Sequence, residues 1–481
     1  MVLGTSADNI IQFAIFAILA QLLSLRDLGI VTFIVLFIDI SRIFVAGGLP
    51  QVVVQRREWD DRISSVCFTY NAIMAILITL IFALIGAPLM EHLNGPGTGI
   101  VMASLGFIFF IEAVRGVHAA KLRREMNYRS LAVRGSVAGL ISGALAVSMA
   151  MGGAGVWALV FQRLCNQVVM TILTWRAARW TPKLTMDRAS LAEVMPFGLR
   201  VTMTRGLEML NLRAPDLIVG FILGPVGVAI YRVGARALDT LRNTVILPYQ
   251  DASFSALSRL KSTEAIVSAF IRLNRVAATA TFPIFFGATT VALELTVTLF
   301  GHKYAPSGAV FAALGLAGLP NTMLLFAASA FMADGQPRLG TIINTALTLL
   351  NVILVFVLVM HFGTMGAAIG NLLALTLVVP GMIYLLNRQL GMHVGDYLGA
   401  ILPPLIISTL MAIMVWGVKL YLLPPMHDIF KIAILVSLGV VLYFGMFALW
   451  GRKHIRQLLE DIGPMLPTAI RSRLERSAWF S

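Results

Sequence analysis

The chain has 481 residues, of which 58% are hydrophobic and 12% are charged, and its mean hydropathy is +0.86. This composition excludes a soluble multidomain protein and favours many membrane spans. The formal net charge of +14 would point to nucleic acid in a soluble protein, but here the basic residues lie in short loops between apolar segments. No nucleic-acid partner is therefore expected.

Apolar segments of about 20 residues, the length that crosses a hydrocarbon core, follow one another along the chain. We predict an all-α polytopic membrane protein with about 14 transmembrane helices. The predicted spans are residues 3–24, 28–48, 65–87, 98–119, 131–151, 155–175, 194–223, 227–250, 273–300, 307–332, 338–360, 365–387, 398–418 and 429–450.

Loop charges give an independent test of this order, because Lys and Arg collect on the cytoplasmic side of a membrane. Alternate loops are rich in Lys and Arg, whereas the opposite set holds only Arg26, Lys303, Lys419 and Lys431. Both termini are therefore predicted to be cytoplasmic. The basic residues of the last thirty positions are interspersed with apolar ones, which predicts an amphipathic tail that lies on anionic membrane lipid.

Weak internal similarity predicts two pseudo-symmetric lobes of six helices each. The segment 22–30 has a counterpart at 222–228, and the segment 152–158 has one at 362–368. Two similar lobes with a substrate site between them are a recurrent transporter plan. The predicted divisions are an N-lobe at 1–190, a C-lobe at 191–392, two extra spans at 393–451 and a basic amphipathic tail at 452–481.

Ten arginines lie inside or at the margins of these apolar segments. A charge at the bilayer centre costs about 2.5 to 3.5 kcal/mol on insertion scales, so this number of cations predicts a polar interior that an anion occupies. The arginines are Arg42, Arg115, Arg134, Arg163, Arg200, Arg205, Arg213, Arg232, Arg236 and Arg242.

Several of these arginines have an acidic residue three positions away, which places both on one face of a helix and allows mutual neutralisation. The pairs are Asp39 with Arg42, Glu112 with Arg115, Arg205 with Glu208, Arg213 with Asp216, and Asp239 with Arg236 and Arg242. Arg134, Arg163, Arg200 and Arg232 have no such neighbour. For Arg42, Arg115 and Arg134, snorkelling to lipid phosphates is an alternative role.

Polar residues form stripes on three predicted helices, which we interpret as cavity walls. The stripes are Arg163, Asn166, Gln167 and Thr174; Arg200, Thr204, Glu208 and Asn211; and Arg232, Arg236, Asp239 and Asn243. Substrate contacts are predicted at Arg163, Arg205 and Arg236, with Arg200 and Arg232 beside them. An interhelical hydrogen-bond network that only holds the bundle together is the alternative interpretation.

Four carboxylates are candidates for coupling transport to a proton or Na⁺, with static ion pairing as the alternative. They are Asp39, Glu112, Glu208 and Asp239. No cofactor, metal site or catalytic residue is predicted, because the sequence has no phosphate-binding glycine loop and no His and Cys cluster with metal spacing. Cys67 and Cys165 are too few and too separated for a disulfide framework.

Short motifs follow one another at 20–23 with 27–29, 47–49 with 54–56, 153–159, 197–199, 216–220, 231–235, 300–306 and 335–338. In this order they resemble the Wzx-type lipopolysaccharide and exopolysaccharide biosynthesis flippases of the multidrug, oligosaccharidyl-lipid and polysaccharide exporter superfamily. The resemblance runs from near the start to about residue 390. Leu217 departs from the pattern, which usually has an arginine there.

The resemblance implies a flippase that moves a polyprenyl-pyrophosphate-linked oligosaccharide across the bacterial inner membrane by alternating access, for exopolysaccharide, capsule or O-antigen synthesis. Guanidinium groups suit this role because they bind phosphate oxygens in pairs. Implied partners are the lipid-linked oligosaccharide, a polysaccharide polymerase and glycosyltransferases.

A drug or metabolite cation antiporter is the alternative, disfavoured by the arginine excess. A membrane polymerase or ligase is disfavoured by the short external loops.

Overall fold

The computed structural model describes residues 2–56, 58–125, 128–241, 250, 253, 257–260, 262–424, 426–450 and 457–458. Within these residues every regular element is a helix, as the sequence predicted. The chain divides into two compact units, Met1–Arg232 and Val233–Ser481. The lobe boundaries near 190 and 392 stay predictions. Of the predicted tail only Gln457 and Leu458 are described, and Arg242 and Asn243 lie outside the described residues.

The first unit contains eight complete helices and most of a ninth. Helix α2 begins where the Ser24 hydroxyl accepts the Asp27 N–H, and α4 begins where Asp60 accepts the N–H groups of Arg62 and Ile63. A π-helical turn, Phe82–Gly86, joins α4 to α5. The helices are α1 Val2–Leu22, α2 Leu25–Ala46, α3 Leu49–Gln55, α4 Asp61–Ile81, α5 Ala87–Asn94, α6 Thr98–Arg124, α7 Tyr128–Met151, α8 Val156–Ala178 and α9 Arg188–Leu241.

The second unit contains the end of α9 and seven further helices. A short 3₁₀ turn, His302–Tyr304, precedes the third of these. The helices are α10 Thr263–Thr290, α11 Ala292–Phe300, α12 Ala305–Leu324, α13 Ala327–Ala333, α14 Pro337–Leu390, α15 Val394–Tyr421 and α16 Asp428–Trp450.

Glycines break the two longest helices at the positions where the sequence predicted one span to end and the next to begin. Gly224 breaks α9 with φ 69° and ψ −170°, and Gly363 breaks α14 with φ 58° and ψ −138°. Gly155, between α7 and α8, has φ 54° and ψ −130°. The segments 152–158 and 362–368 therefore share one backbone break, at Gly155 and at Gly363. The predicted repeat aligned Gly153 with Gly363, so the backbone shifts that alignment by two residues.

The apolar surface of both units requires lipid. Leu84, Phe107, Phe221, Leu377 and Phe444 are each more than half exposed, a distribution that water would penalise strongly. Within the described residues ten helices are long and apolar enough to cross a membrane, and the α10–α11 pair, bent by 72°, makes eleven if it is one span. The chain is a multi-pass membrane protein. The fourteen predicted spans lie largely on helices, but their number stays a prediction.

Two close backbone approaches hold α9 in the first unit. A Cβ on Gly198 would lie 2.5 Å from the carbonyl oxygen of Gly47, and a Cβ on Gly29 would lie 2.1 Å from that of Pro225. Only glycine permits such approaches. The first approach brings the motif at 47–49 against the motif at 197–199. The second brings the start of α2 against the break in α9. Helix α9 therefore lies along α2, beside Asp39.

The entry into α9 is fixed by Asp187. Its carboxylate accepts the Ser190 hydroxyl, the Ser190 N–H at 3.0 Å and Nη2 of Arg62 at 2.7 Å. These contacts, led by the hydroxyl of Ser190, lower the pKa of Asp187 from an ordinary value of 3.8 to about 2. The carboxylate thus remains ionised where it caps the first turn of α9.

Candidate functional site

Seven charged side chains from α2, α6 and α9 meet inside the first unit, and we call them the charged cluster. Each carboxylate in it contacts two arginines, so that positive and negative groups alternate. In order of contact the cluster is Arg115, Glu112, Arg42, Asp39, Arg213, Asp216 and Arg232.

Glu112 and Asp39 form the middle of the charged cluster and share Arg42. Nε of Arg42 lies 2.7 Å from Oε2 of Glu112, and its Nη1 lies 3.2 Å from Oδ1 of Asp39. Arg115 contacts Oε1 of Glu112 at 3.4 Å, and the Gln167 amide donates to the same atom at 3.0 Å. Arg42 is therefore held by two acids, which favours ion pairing over the snorkelling alternative for this residue.

Asp216 is the most deeply buried member, with 3% of its side chain exposed. Arg213 bridges it to Asp39: Nη1 lies 3.6 Å from Oδ2 of Asp216, and Nη2 lies 2.8 Å from Oδ2 of Asp39. Nη1 of Arg232, from beyond the break in α9, lies 3.3 Å from Oδ2 of Asp216. A buried acid of this kind needs such partners, because an isolated carboxylate in a low dielectric is strongly penalised.

The charged cluster lies deep within the helices. Asp39 and Glu112 each lie about 21 Å along their helices from the starts of α2 and α6, at 1.5 Å per residue. Those starts are on one side, since Arg26 donates to the Asn94 carbonyl at 3.0 Å. A hydrocarbon core about 30 Å thick would include that depth. Among the ion pairs that the structure describes there, four arginines meet three carboxylates, a formal excess of one positive charge.

The pairs predicted from spacing of three are confirmed for Asp39 with Arg42, Glu112 with Arg115, and Arg213 with Asp216. The contacts of Arg42 with Glu112, Arg213 with Asp39 and Arg232 with Asp216 were not predicted. Spacing along one helix cannot find them, because each depends on which helices pack together or on the break at Gly224.

The predicted substrate arginines are distributed more widely than the charged cluster. Arg232 belongs to it, whereas Arg200 and Arg205 lie on the exposed surface of α9, where Arg205 pairs with Glu208 at 3.1 Å as predicted. Arg163 is partly buried on α8. Arg236 and Asp239, also partly buried, lie on the end of α9 that belongs to the second unit.

The polar stripe on α8 makes contacts between helices. The Asn166 amide donates to the Ser142 hydroxyl of α7 at 3.3 Å, and Gln167 donates to Glu112 of α6. Thr174 is buried and donates to a carbonyl of its own helix. Asn166 and Gln167 therefore fit the alternative of a network that holds the bundle together, whereas the hydrogen bond of Thr174 stays within α8. Of the third stripe, Asn243 is not described.

The amino-acid sequence is similar to those of known polysaccharide biosynthesis proteins. A family model described as "Polysaccharide biosynthesis protein" matches residues 18–309. The chain belongs to this family. It is 21% identical over 449 residues to the teichuronic acid biosynthesis protein TuaB of Bacillus subtilis, covering 92% of each chain. It is 27% identical over 347 residues to the probable flippase AglR of Haloferax volcanii, covering 68% of this chain and 69% of that protein.

Among solved structures, the lipid II flippase MurJ superposes on the chain with a TM-score of 0.76 and 12% sequence identity, covering 94% of this chain and 99% of that one. The chain therefore has a MurJ-like fold. AglR is named as a probable flippase and MurJ as a lipid II flippase, both of which are transporters.

Proposed function

We propose that the chain is a flippase that moves a polyprenyl-pyrophosphate-linked oligosaccharide across the bacterial inner membrane. Family membership, the name of the relative AglR and the MurJ-like fold support transport of a polysaccharide precursor. The lipid-linked form of the substrate, the inner-membrane location and the cytoplasmic termini are parts of the proposal. The single observation that carries it is the excess of guanidinium over carboxylate in the charged cluster.

Arg42 is the member of the charged cluster best suited to meet a phosphate. It has 35% of its side chain exposed, more than any other member, and it lies between two acids. If Arg42 turned to a pyrophosphate, Asp39 would keep Arg213 and Glu112 would keep Arg115. No buried carboxylate would lose its last partner, so the exchange avoids the main cost of breaking a buried ion pair.

The exposed and partly buried arginines outside the charged cluster, Arg163, Arg200, Arg205 and Arg236, would contact the phosphate and acidic sugars along the route. A cationic drug would meet an excess of like charge at the cluster, which disfavours the antiporter alternative. Ion coupling through Asp39, Glu112, Glu208 or Asp239 would need a carboxylate that releases its arginine, since Asp39, Glu112 and Glu208 each form an ion pair.

Deletion of the gene, followed by leaflet-resolved analysis of lipid-linked saccharides, tests the function. We expect completed repeat units to accumulate on the cytoplasmic side. Unchanged intermediates together with altered tolerance of cationic drugs would favour the antiporter instead.

Single replacement of Arg163, Arg205 and Arg236 by Ala and by Lys, in cells that produce each variant at normal level, tests the site. We expect Ala to reduce export and Lys to restore only part of it, because ammonium cannot bind phosphate through two parallel hydrogen bonds. Arg388→Ala is the matched control, since this exposed arginine at the end of α14 contacts the Tyr384 hydroxyl at 3.1 Å. Normal export in all six variants would refute the assignment.

A further inference from the structure

The second unit contains a cavity of about 520 Å³ between the start of α10 and the junction of α14 with α15. This volume lies within the range of small-molecule sites. Val267, Ile271 and Leu390 form an apolar part of its wall, and the remaining lining is polar or charged. The polar lining residues on α10 are Glu264, Ser268, Arg272 and Arg275, and those from the other segments are His393, Asp396 and Gln457.

The charge of the lining side chains changes sign along α10, from the helix start toward its middle. Glu264 lies in the first turn, and Arg272 follows about 12 Å further along, with Arg275 one turn beyond it. Ser268 lies between them and accepts a hydrogen bond from Nη2 of Arg272 at 3.2 Å. Asp396, in the first turn of α15, adds a second carboxylate at a helix start. The part of the cavity beside the two helix starts is therefore acidic, and the part further along α10 is basic.

A phospholipid headgroup that carries an amine has the complementary order of charges. Its phosphate lies next to the acyl chains, and its ammonium group lies further out, toward water. Arginine is well suited to bind the phosphate through paired hydrogen bonds, and carboxylates to bind the ammonium. The apolar wall would meet the glycerol end and the first methylenes of the chains.

We propose that this cavity binds the headgroup of a phosphoethanolamine lipid, with the phosphate on Arg272 and Arg275 and the ammonium on Glu264 and Asp396. A purely anionic lipid would place no cation against the two carboxylates, so the site should prefer the zwitterionic headgroup. This proposal does not depend on the transported substrate. It assigns a resident membrane lipid to the side of the second unit where α15, the first of the two extra C-terminal spans, begins.

Titration of the purified full-length protein with detergent-solubilised 1-palmitoyl-2-oleoyl phosphatidylethanolamine or phosphatidylglycerol, read out by native mass spectrometry, tests the proposal. We expect tighter binding of the ethanolamine lipid. Arg272→Gln and Arg275→Gln should each weaken it about tenfold, the effect of losing a charged hydrogen bond of about 1.4 kcal/mol. Arg338→Gln, the same change at an exposed arginine that does not line the cavity, should leave binding unchanged.

The paired variant Glu264→Gln, Asp396→Asn tests the ammonium contact separately. Both side chains are exposed, so replacing each carboxylate by an amide should not disturb folding. This measurement therefore tests the proposal even if an arginine variant fails to fold. We expect the preference for ethanolamine over glycerol headgroups to fall about threefold, the range of exposed ion pairs. An unchanged preference would overturn the zwitterionic assignment.

Two other outcomes would overturn the proposal. If Arg272→Gln and Arg275→Gln bind the ethanolamine lipid as well as Arg338→Gln does, the cavity is not the site. If O-phosphoethanolamine without acyl chains binds as tightly as the lipid, the ligand is a soluble metabolite and not a membrane component. Weak competition by O-phosphoethanolamine, at least a hundredfold poorer than the lipid, supports the lipid.

Discussion

Asp216→Asn gives the sharpest test of the charged cluster, because it removes a buried negative charge and keeps the shape of the side chain. Arg232 loses its carboxylate in the cluster, and Arg213 keeps only Asp39. Removing one partner of a buried ion pair costs about 3 to 5 kcal/mol, and the amide retains part of the hydrogen bonding. We therefore expect a loss of about 3 kcal/mol in the free energy of unfolding.

Glu208→Gln is the matched control. Its ion pair with Arg205 has a similar distance, 3.1 Å, but the two side chains are 58% and 65% exposed. Exposed pairs contribute about 0.2 to 1 kcal/mol. Denaturant or thermal unfolding of both variants in one detergent gives the comparison. Equal destabilisation by Asp216→Asn and Glu208→Gln would refute the view that the cluster is a buried, mutually neutralising network.

Three further changes test other parts of the fold. Gly198→Ala forces a Cβ to within 2.5 Å of a backbone carbonyl oxygen and should lower the free energy of unfolding by about 1 to 3 kcal/mol. Gly206→Ala, where a Cβ would have no atom within 4 Å, is the control and should stabilise α9 slightly. Thermal unfolding of the two variants gives the comparison. Because the pKa of Asp187 is lowered to about 2, its ionised carboxylate stabilises the fold above about pH 4, and this stabilisation is lost as the pH falls toward 2. Asp187→Asn should therefore make the midpoint of thermal unfolding less dependent on pH over that interval. Lys419→Ala removes the contact at 2.7 Å from buried Glu294, which keeps Lys431 at 3.6 Å, and should destabilise the protein by about 1.5 kcal/mol in denaturant unfolding, as the loss of a charged hydrogen bond does; a loss below about 0.5 kcal/mol would contradict this account.

Apolar segments of membrane-spanning length were sufficient to predict most of the helices, and the breaks at Gly224 and Gly363 lie between spans that were predicted as separate. The number of membrane crossings was harder to predict, because bent pairs such as α10 with α11 have no signal in composition alone. The same limit applies to the site. Spacing of three found Arg213 with Asp216, but the contact of Arg213 with Asp39 joins residues 174 positions apart. Periodicity defines the polar face of a helix and not the helix that covers it.

The alternating order of the charged cluster predicts that its acids and its central arginine have different roles. Every acid in it contacts two arginines, so Arg42→Gln leaves Asp39 with Arg213 and Glu112 with Arg115. We expect Arg42→Gln to cost only about 1 kcal/mol in stability, as the loss of a partly exposed pair does, while export falls at least tenfold. Unfolding midpoints and cell-surface polysaccharide, measured on the same variant, separate the two effects. If Arg42→Gln destabilises the protein as much as loss of the buried acid does, or if it leaves export unchanged, Arg42 is a structural residue and not the group that exchanges its carboxylates for the phosphate.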